Sequence, residues 1–295
     1  RKRGRGLRDR AYDIVSGDER AEELLDEILK TAKEVPGAGW NQRLNNGIPL
    51  GAVENFLYFV RQQTYARNKD AIGSYNIETN ALPTVKGLLN AAINLEKALG
   101  VLEKPLVTLR KRLNDRLDTE AKELDTAARA RILGLSQSIL RRCCQPLATW
   151  RSMLNDLSDE TPEIFVDWFG ISKLSGREID VGFFRHWLDP TIPLADYVFR
   201  SAHGVLVTSA SLRDDSFNGT DDGWLNAESR IGVNHIISQK VRATHPSPFK
   251  HAENTMVLII QDVDRNNANQ VASAYRELFL AAGGGGLGLF TAIHR

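Results

Sequence analysis

Apolar side chains recur at three- and four-residue steps through the first half of the chain, the period of helices with one buried face. Leu24, Leu25, Ile28, Leu29 and Ala32 lie on one side of a predicted helix from Gly17 to Glu34, which Pro36-Gly37-Ala38-Gly39 ends. After a polar loop holding Asn45-Asn46-Gly47, Val53, Phe56, Leu57 and Val60 mark a second helix over about 52–69. Pro83 opens a third, with Val85, Leu88, Leu89, Ala92, Ile93 and Leu99 in phase. The most regular stretch follows: Leu102, Leu106, Leu109, Leu113, Leu117, Leu124 and Leu135, with charge between them. It predicts a long amphipathic helix packed in an antiparallel hairpin or bundle. A coiled-coil dimer is the alternative, but the seam breaks over Thr126 to Arg131. A last helix, Leu135 to Leu157, carries Ile139, Cys143, Leu147, Trp150 and Leu154 on one face, and Pro146 inside it predicts a kink or a restart. Residues 1–160 therefore read as an all-helical block.

The pattern changes at Thr161-Pro162. Glu163 to Gly170 and Glu178 to Leu188 are aromatic and β-branched, and predict two strands around a Leu174-Ser175-Gly176 turn. Pro190 to Arg200 suits a short helix. Gly204 to Thr208 and Met256 to Ile260 read as short buried strands, a helix is predicted over about Asn267 to Ala282, and Leu287 to Phe290 forms another apolar run. Strand, helix, strand over 256–290 is the unit of an open parallel sheet, in which ligands gather at the carboxyl ends of strands. Those ends carry Thr208 and Ser209, Asp262 and Asp264, and Thr291.

Composition narrows the classes. The chain has 295 residues, 42% hydrophobic and 25% charged, with 38 Lys and Arg against 37 Asp and Glu, so it is a globular protein with no global basic bias. Any nucleic-acid surface must be local. The basic run Arg1, Lys2, Arg3, Arg5, Arg8 and Arg10 reads first as a solvated terminus. The only cysteines, Cys143 and Cys144, are adjacent, which excludes a disulfide framework and a four-cysteine metal site. No apolar run approaches the ~20 residues of a membrane span and no signal peptide is visible, so a cytoplasmic setting is expected. The chain opens at Arg1 without Met and stops after an apolar run, which suggests a piece of a longer protein.

Gly283 to Gly288 invites a phosphate-loop reading, but a Walker loop follows a strand, opens a helix, and needs Lys then Ser or Thr after its last glycine. Here the order is helix, glycines, strand, and Leu289 and Phe290 follow. The segment reads as a helix C-cap and turn. The six histidines show no ligand spacing, and no serine sits in a nucleophile elbow. Thr208-Ser209-Ala210-Ser211-Leu212 places hydroxyls in a tight turn at a strand tip, suited to relaying contacts rather than to nucleophilic attack.

Taken together, Gly204 to Leu212 (GVLVTSASL), Ser247-Pro248-Phe249 and Gly286 to Thr291 (GLGLFT) resemble, in order and spacing, the TSATL, SPF and LVLFTS-type elements of one family. These are the DinG-like ATP-dependent DNA helicases of the XPD/Rad3 branch of superfamily 2. Arg185 to Ala195 (RHWLDPTIPLA) is similar to the stretch by which such proteins return to their first motor domain. Ser211 stands where the family has Thr, and Phe290-Thr291-Ala292 stands for the usual FTS. The Walker A lysine, the DEAH carboxylates, the motif VI arginines and an iron–sulfur cysteine cluster are absent from the chain.

The resemblance implies an α/β architecture: a helical arch-like insertion (1–160), then the C-terminal part of a first RecA-like parallel-sheet domain (161–212) and the N-terminal part of a second (213–295). It implies the central segment of a bacterial, cytoplasmic, monomeric helicase whose ATP and Mg²⁺ sites lie mainly outside this segment. Thr208 to Leu212 would couple ATP to single-stranded DNA, and Thr291 would touch a DNA phosphate. Arg110, Lys111 and Arg112, with Arg141 and Arg142, would line an electrostatic funnel. Whether the whole protein carries an iron–sulfur cluster stays open. A non-enzymatic helical interaction module with a degenerate α/β domain is the rival reading, and a small-molecule site at Asp262 and Asp264 a weaker one.

Overall fold

The computed structural model describes residues 6–68, 73, 75–214, 222–237 and 239–290. Contacts divide the chain into two units, 1–237 and 238–295.

In the first unit, α1 (Leu7–Val15) and α2 (Glu19–Thr31) lead through α3 (Trp40–Asn45) to α4 (Gly51–Arg67). The 32-residue α5 (Leu88–Thr119) is the centre of the unit, and α2, α4, α6 (Thr126–Ile139) and α7 (Gln145–Asp156) pack on it. Leu88, Ala92, Leu99, Leu102, Leu106, Leu109 and Leu113, which the periodicity marks, are buried, as is Leu95, whereas Ile93 is 39% exposed. The predicted third helix and the first half of the long one are one continuous helix that passes through Pro105. The long helix does not run on to Leu135: a turn over 120–125 intervenes, and Asp125 caps α6 by accepting the Ala128 N–H at 2.6 Å. At Pro146 a five-residue π turn, Leu140–Cys144, leads into α7, which is the predicted restart. Gly100 lets α7 approach α5. A Cβ there would lie 3.2 Å from the Arg151 guanidinium, which spans Glu96 and Glu103 along α5.

The helical block also contains a strand. β1 (Ile77–Asn80) pairs antiparallel with β2 (Phe165–Leu174), and β2 pairs antiparallel with β3 (Arg177–Trp187). Ser175 and Gly176, at φ 51° and 80°, form the two-residue turn that suits strand twist. The inner face carries Phe169, Ile171 and Val181 onto α4, where Phe56 meets the Phe169 ring edge-on at 6.4 Å. Helices and hairpin thus share one core, and β1 had no signal because Ile77–Asn80 (IETN) is too short and polar to show alternation. Arg185 fastens the hairpin to α7. Its guanidinium donates to both Asp167 oxygens at 2.7 Å and to Asp156 at 2.5 Å.

After β3 come α8 (Thr191–Leu194), a π turn (Ala195–Phe199) and α9 (Asp222–Arg230). The second unit holds α10 (His251–Asn254) and α11 (Ala268–Ala281), close to the predicted bounds of the latter.

The parallel sheets expected of RecA-like domains are not seen among the described residues: the sheet is three-stranded and antiparallel. The runs 204–208, 256–260 and 287–290 carry no strand. Strands need neighbours to satisfy their N–H and C=O groups, and these runs find none among the described residues. Their side chains stand in solvent: Leu206 is 88% exposed, Met256 and Val257 82%, Ile259 80% and Leu287 82%.

Candidate functional site

β3 ends at Leu188-Asp189-Pro190, where the chain turns into α8. Asp189 Oδ1 accepts the Thr191 N–H at 2.9 Å and its hydroxyl at 2.6 Å, the Asx geometry that starts a helix. His235, from the turn Val233–His235, places Nε2 3.0 Å from Thr191 Oγ1 and 3.2 Å from Asp189 Oδ2. Arg200 donates to the His235 carbonyl at 3.1 Å. Gly232 (φ 75°) makes this close approach feasible, because a Cβ there would lie 2.8 Å from the Thr191 carbonyl oxygen. The Thr191 hydrogen bonds, with His235 beside them, hold the Asp189 carboxyl below its ordinary value. Threonine, histidine and aspartate suggest a hydrolytic triad, but the geometry is wrong. In a triad the histidine contacts nucleophile and orienting acid through opposite ring nitrogens, whereas Asp189 and Thr191 both face His235 Nε2. The cluster is a clasp that holds 232–235 against α8. Asp-Pro-Thr, an aspartate two residues before a threonine at a helix start, was its sequence signal.

Thr208 to Leu212, the turn expected to act in coupling, lies a short way down the chain and is exposed from Thr208 to Ser211, with Leu212 half-buried. The Ser211 N–H donates to Ser209 Oγ at 3.2 Å, and the two hydroxyls are 3.3 Å apart. Among the described residues no imidazole or carboxylate is bonded to either. The motif therefore offers a pair of polar hydroxyls with no activating base, which suits contact-making rather than attack. Thr208, Ala210 and Leu212 add no bonded group to it.

In the second unit, Ser247 Oγ accepts the Phe249 N–H at 3.2 Å and lies 3.2 Å from His251 Nε2. The Phe249 and His251 rings are 5.9 Å apart, so Ser247-Pro248-Phe249 is a turn opening α10. At the end of α11, Gly283 N–H reaches Leu280 O and Gly284 N–H reaches Phe279 O, with Gly283 at φ 72°. That is a Schellman motif, one form of the helix C-cap predicted for the glycine run. Gly286 then crosses the Phe279 ring so closely that a Cβ would lie 2.2 Å from Cδ1. Phe290 folds back to 5.4 Å from Tyr275, whose hydroxyl donates to Leu289 O. Thr291 lies outside the described residues. Asp264 accepts the Asn266 N–H at 2.9 Å in the turn before α11, a loop role.

The α5 basic residues do not form one surface. Arg112 donates to both Asp18 oxygens at 2.8 and 2.7 Å, and that guanidinium depresses the Asp18 carboxyl. Lys111 sits in the groove between α2 and α5 beside Asp115, and Arg110 is half-buried with its Nε enclosed and unpartnered among the described residues. Arg141 and Arg142, the other predicted pair, are exposed in the π turn and have no carboxylate partner among the described residues.

Among the described residues no group of three or more His, Cys, Asp or Glu side chains can hold a metal ion. The two cysteines cannot bind an iron–sulfur cluster alone: Cys144 is buried, Cys143 is half-buried, and burial pushes both thiols up. The sequence also holds no Walker A lysine motif. Among the described residues no helix is long and apolar enough to cross a membrane. The chain matches no protein-family model and no curated protein.

Proposed function

We propose that this chain is the central segment of an ATP-dependent DNA helicase: a helical arch-like insertion followed by portions of two RecA-like motor domains, 161–212 and 213–295. The observation that carries the reading is the state of three apolar runs. Residues 204–208, 256–260 and 287–290 are strand-like in sequence, exposed, and unpaired among the described residues, while apolar faces elsewhere, as on α5, are buried. Each large side chain left in water forgoes about 1.5–3 kcal/mol of burial. A sheet supplied by sequence beyond these residues recovers it. Two of these runs, 204–208 and 287–290, also bear the GVLVTSASL and GLGLFT resemblance.

In this reading ATP and Mg²⁺ are held by groups outside the 295 residues. The chain's own contribution is the hydroxyl pair Ser209 and Ser211, exposed at the end of the 204–208 run, with the Asp189–Thr191–His235 clasp fixing the segment before it. The hydroxyls transmit nucleotide state to the DNA track. Thr291 and Phe290, with Ser247-Pro248-Phe249, belong to the second motor domain. The 295-residue chain alone hydrolyses no ATP.

The test uses the protein encoded by the complete reading frame. Ser209→Ala with Ser211→Ala is expected to keep DNA-stimulated ATP hydrolysis and lose unwinding. Equal loss of both activities makes the turn structural, and absence of ATP hydrolysis in the unsubstituted protein removes the helicase reading in favour of a helical interaction module.

A further inference from the structure

From Thr126 to Asn155 the chain contains no Asp or Glu, but it contains Arg129, Arg131, Arg141, Arg142 and Arg151. This stretch is α6, the π turn and α7. Two of the five arginines are already engaged. Arg151 is held by Glu96 and Glu103, and Arg129 donates to the Ala121 carbonyl beside the acidic turn 118–125. Arg131, Arg141 and Arg142 are exposed and have no carboxylate partner among the described residues. Trp150 is 53% exposed in the same stretch. Arg131, Arg142 and Trp150 follow at steps of 11 and eight residues, close to whole turns once the π turn is included.

The rest of the exposed surface here is Leu133, 49% exposed, with small or polar residues such as Gly134, Gln145 and Thr149. α1, which packs on α6, carries Arg8 and Arg10 with Asp9 and Asp13, and so leaves the local balance unchanged.

We propose that the outer face of α6, the π turn and α7, with Arg131, Arg141, Arg142 and Trp150, is a binding surface for single-stranded nucleic acid. The proposal deepens the helicase reading and rests on it for the choice of nucleic acid among polyanions. Three unpaired guanidinium groups suit phosphates, and an exposed indole offers a stacking face for a base. Arg131 to Trp150 spans roughly 29 Å of helix, a length within the range of strands that bind without sequence preference. A lipid surface fits poorly. The apolar side, Ile132, Leu135, Ile139, Leu147 and Leu154, is committed to the core, so insertion would have only Leu133 and Trp150 to use.

The probe is a fluorescein-labelled oligothymidylate of about 20 nucleotides, titrated with the full chain by anisotropy between about 50 and 200 mM salt. Arg131→Gln, Arg141→Gln and Arg142→Gln together are expected to make the log–log salt slope shallower by about 2 and to weaken low-salt binding more than tenfold. Trp150→Ala should weaken binding about tenfold with the slope unchanged. The triple Arg→Lys variant should keep the slope, which separates lost charge from a lost fold. A control of equal charge change, Lys33→Gln, Lys97→Gln and Lys104→Gln, should bind as the unsubstituted chain does.

An equal loss in the control, or competition by poly-glutamate as strong as by oligothymidylate, overturns the proposal. An unchanged slope in the arginine variant overturns it too, while a Walker loop in the reading frame would leave the helicase reading standing. The expected slope change in a protein without that loop does the reverse.

Discussion

Replacing Arg185 by Ala removes the group that joins the hairpin to the helical block. The Arg185 side chain is 8% exposed and that of Asp167 2%, so their bidentate pair is cut off from water, while Asp156 at 29% is partly solvated. Removing one member of a buried pair leaves the other charged and unpaired, at a cost of about 3–5 kcal/mol. Asp167 falls in that class. Asp156 can turn to solvent, and Asp156→Asn should cost about 1 kcal/mol or less. Loss of the guanidinium over the Phe165 ring, 4.6 Å away, adds a smaller amount. Against a typical total of about 5–15 kcal/mol, Arg185→Ala should remove about a third of the stability. Urea unfolding followed by far-UV circular dichroism reads this as a lower midpoint at unchanged slope. Arg185→Met with Asp167→Leu removes both buried charges and should recover most of the loss. A cost below about 1 kcal/mol for Arg185→Ala, or no recovery in the double variant, would refute the buried pair.

Gly232→Ala combines positive φ with a Cβ 2.8 Å from the Thr191 carbonyl oxygen, and should lower the stability by about 1–3 kcal/mol. Thermal unfolding at neutral pH checks it, with Gly134→Ala, inside α6 where nothing lies within 4 Å, as the comparison that should instead gain up to about 1 kcal/mol. Burial and the hydrogen bond to Glu178 push the Tyr65 phenol up to about 12 from 10. Because the neutral phenol is the favoured form, its contribution is whole below pH 10 and fades as pH rises through about 12. Phenolate absorbance should therefore show a step near pH 12 that Tyr65→Phe removes. In the exposed runs, Val257→Ala should change stability by less than about 0.5 kcal/mol, whereas Leu113→Ala, fully buried, should cost about 2–5 kcal/mol. Chemical denaturation of the pair reads the difference.

The helices were legible because burial of one face imposes a period, and α5 buries the leucines that set it. The hairpin was legible because Ser175-Gly176 separates two aromatic runs. β1 was not, since a four-residue edge strand is fixed by its partner, here β2, rather than by its own alternation. The runs 204–208 and 256–260 read as strands from their side chains, but pairing depends on neighbours, and among the described residues none is supplied. The clasp was hidden because Asp189 and His235 are 46 residues apart, joined by the close approach of Gly232. Arg110, Lys111 and Arg112 looked like one basic patch because sequence adjacency does not show Asp18 arriving from α2 to take Arg112.

The central claim is that these residues complete a motor whose nucleotide site lies elsewhere in the same polypeptide. Determining the coding sequence on both sides of the Arg1 and Arg295 codons tests it most directly. The account predicts a Walker A loop and a DEAH box upstream, and a motif VI arginine segment downstream. A reading frame without a Walker A loop upstream would contradict it.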